Sequence, residues 1–307
     1  MIYDTIILGG GPAGTAAGVY TARKKLKTLL ITEEFGGQSI VSDDIQNWIG
    51  EKSIAGYKLA QKFEEHLRSQ EDIEIKMPEK VLEVKEDGDE LVVITDKKEY
   101  KTKTVMVTIG ARRRKLNITG EKKFDGKGVA YCSTCDAPLF SGKSVVVVGG
   151  GNSGLEAVQD LIPYAKEISL LTHGEALRGD PVTIEAIKKS DKFKDVILNA
   201  EAKEIKGDQF ASALTYTDKK TGKDITLEVQ GIFVEIGAIP NSEIVKDLVD
   251  TNDRGEIVIN HKTGATSNPR IFAAGDVTDE AYKQNNISAG DAVKAALSVY
   301  GYLLKKK

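Results

Sequence analysis

Thr5-Ile6-Ile7-Leu8-Gly9-Gly10-Gly11-Pro12-Ala13-Gly14 is the stretch on which the fold turns. The run Thr5 to Leu8 reads as a short buried parallel strand. The glycines follow at once, and a helix-like stretch from Thr15 to Lys24 comes after them. This is G-x-G-x-x-G between a strand and a helix. In that pattern Gly9 makes the turn, Gly11 lets a pyrophosphate approach, and Gly14 allows close helix packing. Alone, such a stretch is equally a plain Gly-rich turn. Its surroundings favour the dinucleotide reading: Leu29-Leu30-Ile31 reads as a second strand, and Glu33 stands at its end. A carboxylate there takes the ribose hydroxyls of an adenine dinucleotide.

The same order then recurs. In the first copy, a predicted amphipathic helix over Ile54 to Leu67 precedes a hairpin, Val81 to Val84 and Leu91 to Ile94, and then the apolar strand Val105-Met106-Val107. In the second copy, Ser144 to Val148 is a strand and Gly149-Gly150-Gly151-Asn152-Ser153-Gly154 opens a helix. Ile168 to Leu171 is its second strand, Ala211 to Tyr216 and Ile225 to Val229 its hairpin, and Ile232 to Ile236 its last strand. Each copy ends in Gly-Ala, at Gly110-Ala111 and Gly237-Ala238. Chance turns do not reproduce that order, so the chain carries an internal duplication of a dinucleotide-binding unit. The fold class is α/β, with two Rossmann-like domains, each in three layers. A further strand, Ile271-Phe272-Ala273, runs into Ala274-Gly275-Asp276 and suits either sheet.

Just before the second fingerprint lies Cys132-Ser133-Thr134-Cys135-Asp136, which holds both cysteines of the 307-residue chain. Such a pair can close a small disulfide, bind a metal or sit inert in a core. Structural zinc takes four ligands, and His66, His173 and His261 are distant in sequence, so no metal site is expected. Asp136 and Pro138 suit a helix start, where the macrodipole favours a reactive thiolate. A redox dithiol is the leading reading.

Composition narrows the function classes. Apolar content of 40% and charged content of 29% are ordinary for a globular protein. A net charge of -3 gives no global field for nucleic acid. Two cysteines do not make a secreted disulfide scaffold. No apolar stretch approaches the roughly 20 residues needed to span a bilayer, and Met1-Ile2-Tyr3-Asp4 does not read as a signal peptide. The expected place is the reducing cytoplasm, where a disulfide is more often catalytic than structural.

With these motifs in place, the chain resembles the low-molecular-weight thioredoxin reductase family over nearly all of its length. The likeness rests on Gly9 to Gly14, Gly36-Gly37-Gln38, Asn47-Trp48 and Thr108-Ile109-Gly110-Ala111, then on Tyr131 to Asp136, Gly149 to Gly154 and Ala274-Gly275-Asp276. The flavoprotein of alkyl hydroperoxide reductase shares the cysteine and Gly-Asp motifs and usually carries a further N-terminal domain. The resemblance implies an FAD domain in two pieces, residues 1–112 and 241–307, around a smaller dithiol-bearing NAD(P)H-binding-like domain, residues 113–240. It implies cofactor-binding roles for Gly9, Gly11, Gly14, Glu33, Gly37, Gln38, Asn47 and Gly110. Asp276 would bind the FAD ribityl chain, and Gln284 would lie near the flavin. Cys135 would face the flavin, Cys132 would attack the disulfide of thioredoxin, and Asp136 would supply or take the proton. For Asp136 a helix cap is the structural alternative. The resemblance also implies a homodimer and rotation about linkers near residues 112–117 and 238–242.

The chain departs from this family where NADPH should bind. Members carry a His-Arg-Arg cluster at the end of the second strand, with another arginine a few residues on. Here the strand ends Leu171-Thr172-His173-Gly174, Glu175 follows, and only Arg178 remains. Each lost charge-assisted bond contributes roughly 1.5–3 kcal/mol. Thr172 also offers no carboxylate for NADH. Arg112-Arg113-Arg114-Lys115 is the other departure. It reads as a solvated charge run or as a docking patch for an acidic protein such as ferredoxin. The expectation is therefore a thioredoxin reductase whose donor is ferredoxin, with NADPH or NADH as the alternative. A flavin hydride-transfer enzyme of the ferredoxin-NADP reductase type shares the fold but lacks the cysteine pair. An FAD-binding dithiol redox sensor is the non-enzymatic alternative.

Overall fold

The computed structural model describes residues 1–42 and 44–306, with Val41 through its backbone alone. Lys307, the end of the expected last segment, lies outside them. The chain divides into two compact units. One comprises Met1–Arg112 and everything from Ile239 onward, and the other comprises Arg113–Ala238. The second crossing thus falls after Ala238 rather than after Pro240.

Unit 1 begins with β1 (Ile2–Gly10), α1 (Pro12–Arg23) and β2 (Thr28–Phe35). Then come α2 (Gly56–Arg68), β3 (Ile73–Lys76), β4 (Val81–Asp87), β5 (Glu90–Thr95) and β6 (Glu99–Val107). The strands β3, β2, β1 and β6 lie side by side and parallel, and β5 and β4 continue the sheet antiparallel. Helix α1 starts at Pro12, earlier than the expected Thr15. Gly11 is its N-cap and Pro12 occupies its first turn, where a missing N–H costs nothing.

Unit 2 is entered through β7 (Ala111–Arg113), and β8 (Val129–Ala130) leads to the one-turn helix α3 (Ser133–Asp136). Next come β9 (Ser144–Val148), α4 (Asn152–Leu161), β10 (Glu167–Leu171), α5 (Pro181–Lys188) and β11 (Phe193–Ile197). After them β12 (Ala200–Gly207), β13 (Ala211–Asp218) and β14 (Lys223–Glu228) form an antiparallel sheet, and β15 (Gly231–Val234) returns to the parallel one. That parallel sheet has the order β11-β10-β9-β15-β8. The expected hairpin is therefore two strands of a three-stranded sheet, since β12 pairs β13 as well. The chain leaves through β16 (Ala238–Pro240), and unit 1 is completed by β17 (Ile271–Ala273) and α6 (Asn285–Lys305). Strand β17 joins the unit 1 sheet beside Val105–Val107 of β6.

Alternation along the strands builds the layers. In unit 1, Ile6, Leu8, Leu29, Ile31, Val105 and Val107 belong to one core, and Ile7, Leu30 and Met106 to another, with Ala13 and Ala17 of α1 and Ala292 and Ala295 of α6. In unit 2, Val145, Val147, Ile168 and Leu170 pack with Leu155 and Val158 of α4, whereas Val146, Val148 and Leu171 pack with Ile205 and Leu214 of the antiparallel sheet. A period of two on strands buried on both faces yields this helix–sheet–sheet sandwich. In each unit it places a glycine turn at the carboxyl edge of the parallel strands, the usual position for a ligand.

Candidate functional site

In unit 1 a cavity of about 910 Å³ opens at that edge. It is lined by Gly9, Gly11, Glu33, Gly37, Gln38, Gly110 and Asp276. Gly9 has φ +106°, and a Cβ there would lie 2.7 Å from the Thr108 carbonyl oxygen. Gly14 does not line the cavity. Its Cβ position is 1.8 Å from the Gly9 carbonyl oxygen, so it is the contact that seats α1 on the turn. Around Gly11 only the Gly37 Cα comes within 4 Å of a built Cβ, at 3.9 Å. The approach to the start of α1 at Gly11 is therefore open. Free N–H groups there and the helix dipole suit an anionic pyrophosphate.

The polar rim is built from distant parts of the chain. Glu33, exposed at the end region of β2, lines one side. Asp276 accepts hydrogen bonds from Gln38 Nε2 at 3.3 Å and from Ser288 Oγ at 3.2 Å. Ser288 is buried in the first turns of α6 and fixes the orientation of that carboxylate. Sequence reading missed Ser288, because no motif surrounds it. Asn47 and Gln284 lie outside the cavity lining and pair with each other, Asn47 Nδ2 donating to Gln284 Oε1 at 3.2 Å. The cavity lies within the usual size of cofactor clefts, about 300–1,000 Å³. A glycine-lined helix start for phosphates, Glu33 for ribose hydroxyls and Asp276 for a polyol chain fit FAD.

In unit 2 Cys132 and Cys135 are joined as a disulfide. Cys132 is the N-cap of α3 and half-buried; Cys135 is exposed. The Ser133 and Thr134 hydroxyls both donate to Asp160 Oδ2, at 2.8 and 3.0 Å, and the Ser133 N–H donates to Glu235 Oε1 at 3.3 Å. Asp136 makes no side-chain cap hydrogen bond. Burial pushes Asp136 up to about 6, against the pull of Arg113 and with Asp125 adding to the rise. Burial likewise raises Glu235 to about 7, opposed by Arg113 and the Ser133 N–H and reinforced by Asp160 and Asp136. Sequence reading missed Glu235, Asp160 and Arg113 as neighbours of the disulfide. Among the described residues no group of His, Cys, Asp and Glu could hold a metal ion.

The second glycine turn, also in unit 2, has the geometry of the first. A Cβ on Gly154 would lie 1.9 Å from the Gly149 carbonyl oxygen, so packing requires the glycine here. Beyond β10, Thr172 is buried and its Oγ1 accepts the Gly174 N–H at 3.3 Å. His173, Glu175 and Arg178 are outside the core. The Arg178 N–H donates to the Gly150 carbonyl at 2.8 Å, and the Asp180 N–H donates to Asn152 Oδ1 at 2.8 Å. Arg178 is thus the one arginine in this segment, with Glu175 near it in sequence.

Two members of the basic run, Arg112 and Lys115, are paired with carboxylates. Arg112 binds Glu243 and Asn241, each at 2.7 Å. Lys115 pairs with Asp125 at 2.8 Å and lies 3.5 Å from the Tyr131 ring centre. Arg113 acts on Asp136 and Glu235. Arg114 is exposed.

Comparison with known proteins adds to this geometry. The family model described as "Pyridine nucleotide-disulphide oxidoreductase" matches residues 3–296. The chain is 42% identical over 303 residues to a Bacillus subtilis (strain 168) protein named "NADH dehydrogenase", covering 99% of this chain and 59% of that protein. It is 40% identical over 308 residues to an alkyl hydroperoxide reductase protein of Xanthomonas campestris pv. phaseoli, covering 99% and 57%. The chain thus spans less than two thirds of the length of these relatives. Among solved structures, thioredoxin reductase from Streptococcus pyogenes MGAS5005 superposes with a TM-score of 0.92 at 34% identity, covering 99% of each chain.

Proposed function

From the premise that the chain belongs to the pyridine nucleotide-disulphide oxidoreductase family, as a thioredoxin reductase-like flavin disulfide oxidoreductase that binds FAD, we propose that it reduces thioredoxin through Cys132 and Cys135 with ferredoxin as electron donor. The observation that carries the donor reading is the end of β10. Thr172, His173 and Gly174 present neither the cationic clamp of an NADPH site nor the carboxylate of an NADH site. No helix among the described residues is long and apolar enough to cross a membrane. A homodimer built on unit 1 is part of the same proposal, by family likeness.

When bound, FAD supplies a store of two electrons that a donor fills and a disulfide drains. The protein's residues do the rest. Gly11 and the first turn of α1 would hold the pyrophosphate, Glu33 the adenosine ribose and Asp276 the ribityl chain. Once the dithiol is reduced, the Cys132 thiolate attacks a sulfur of the thioredoxin disulfide, and the other thioredoxin sulfur leaves. Cys135 then attacks Cys132, which closes the protein disulfide and releases thioredoxin with two thiols. Asp136 takes and returns the proton in these exchanges.

Two outcomes test the roles. Asp136→Asn should slow disulfide exchange by on the order of 10²-fold and remove the limb of the pH–rate profile near pH 6. An unchanged limb assigns that proton elsewhere. The linked stability effect has a definite sign. A carboxyl raised from 3.8 to about 6 favours the fold when neutral. That contribution is full below pH 3.8 and is lost as the pH rises through 6, so Asp136→Asn should flatten this part of the stability profile.

The donor is tested by anaerobic flavin reduction with NADPH, NADH and reduced ferredoxin, each followed by thioredoxin reduction. Ferredoxin should support turnover and NADPH should not at micromolar concentration. Rapid turnover with NADPH overturns the donor reading. Rapid turnover with NADH supports the second reading, favoured by the name of the Bacillus subtilis relative. Charge reversal at Arg114 tests docking separately, because its exposed charge is screened beyond about 10 Å at 0.1 M salt.

A further inference from the structure

Glu235 follows β15 directly and is 9% exposed. Its main chain is fixed against the second glycine turn. The Glu235 N–H donates to the Val148 carbonyl at 2.9 Å, and its own carbonyl oxygen would lie 2.2 Å from a Cβ on Gly149. The side chain reaches the disulfide loop, where Oε1 accepts the Ser133 N–H. Ser133 directly follows Cys132, so this bond holds the peptide on which the Cys132 sulfur is carried. The charged groups facing the carboxyl are Asp136 on α3, Asp160 on α4 and Arg113 on β7. One guanidinium among three carboxyls leaves an excess of negative charge in a buried place. Such a cluster answers any further negative charge by taking up a proton.

We infer that Glu235 is a positioning residue for the dithiol, which holds the Cys132–Ser133 peptide through the Ser133 N–H and binds a proton when the disulfide is reduced. In that step two electrons from the reductant break the sulfur–sulfur bond. One sulfur takes a proton and the other remains a thiolate. The new thiolate lies next to the peptide that Glu235 holds, so Glu235 takes a second proton from solvent. Asp136 exchanges the proton that moves with the reacting sulfur, whereas Glu235 balances charge. The raised affinity of its carboxyl, about 7, puts this uptake in the neutral range. The inference rests on the redox-dithiol reading above, but not on the identity of the donor or of the acceptor.

The test is the equilibrium of the disulfide with reduced and oxidised dithiothreitol, read by acid quench and thiol alkylation on the FAD-loaded protein. Glu235→Gln keeps an oxygen that accepts from Ser133 N–H but cannot titrate. From about pH 7 upward, above the affinity of the carboxyl in the disulfide form, the ratio of wild-type to Glu235→Gln equilibrium constants should change by up to roughly tenfold per pH unit, the linkage of one proton. Parallel pH dependences would overturn the inference, because a merely structural role survives in the glutamine variant. Should that variant not fold, infrared difference spectra of Asp136→Asn protein with Glu235 intact give a second reading. A protonated-carboxyl band should grow when the disulfide is reduced, and its absence overturns the inference. A disulfide that dithiothreitol does not reduce at all would overturn the dithiol reading along with it.

Discussion

Gly14→Val should yield a protein that emerges colourless and cannot be reconstituted with FAD. The Cβ position at Gly14 lies 1.8 Å from the Gly9 carbonyl oxygen, far inside any contact distance. The neighbour is backbone, and it is the turn that makes the floor of the cavity, so no flexible side chain can yield. Helix α1 must lift off β1, and its first turn leaves the place proposed for the pyrophosphate. Overpacking of this kind typically costs about 1–3 kcal/mol and occasionally more, and FAD affinity should fall at least 100-fold, since about 2.7 kcal/mol corresponds to that factor. Flavin absorbance per chain after dialysis against FAD measures the outcome. Gly154→Val is the matched control: it makes the same collision in unit 2, at 1.9 Å from the Gly149 carbonyl oxygen, and should lower stability while FAD remains bound. Full FAD affinity in Gly14→Val would remove this cavity as the flavin site.

Loss of either cysteine should lower thioredoxin reduction by on the order of a thousandfold or more, as removal of a nucleophile does, with FAD content unchanged. Serine cannot form or exchange a disulfide, and neither Asp136 nor Glu235 can replace a sulfur. The two variants differ in what they trap. In Cys135→Ser the remaining Cys132 should hold thioredoxin as a stable mixed disulfide, because the thiol that releases it is gone. In Cys132→Ser no such adduct should accumulate. Non-reducing gel analysis distinguishes them. Cys135 is the more exposed of the two residues, which makes this comparison informative: an adduct confined to Cys132→Ser reverses the roles.

Much of the fold was readable before the structure. Val145-Val146-Val147-Val148 is apolar throughout, and in the structure alternate members enter different cores, as a strand buried on both faces requires. The glycine turns were readable for the same kind of reason, since few backbones other than glycine tolerate those contacts. Helix α6, strand β3 and strand β12 were not anticipated, and α1 begins earlier than expected. Strands β3 and β12 are rich in charged residues, with Glu74, Lys76, Glu201, Lys203 and Glu204 among them, so no apolar pattern announced them. Their pairing with β2 and β13 decides their conformation.

The sites divide in the same way. Features set by neighbours in the chain were legible in the sequence: Gly9 and Gly14 meet backbone at the first turn, and Cys132 and Cys135 close a disulfide. The missing clamp at Thr172-His173-Gly174 also belongs to the sequence, because it is a matter of residue type at one strand end. Ser288 on Asp276, Glu235 on the Ser133 N–H and the pairing of Arg112 with Glu243 were not visible there. Gln38 meets Asp276 across 238 positions, Ser133 meets Glu235 across 102, and Arg112 meets Glu243 across 131. By itself, then, the sequence determined two nucleotide-type turns and a dithiol, since local sterics and strand periodicity act between near neighbours. Only the tertiary structure decided which carboxyls are buried beside the disulfide and which cations are already paired. Burial and Coulomb interaction depend on distance in space, and separation along the chain does not measure it.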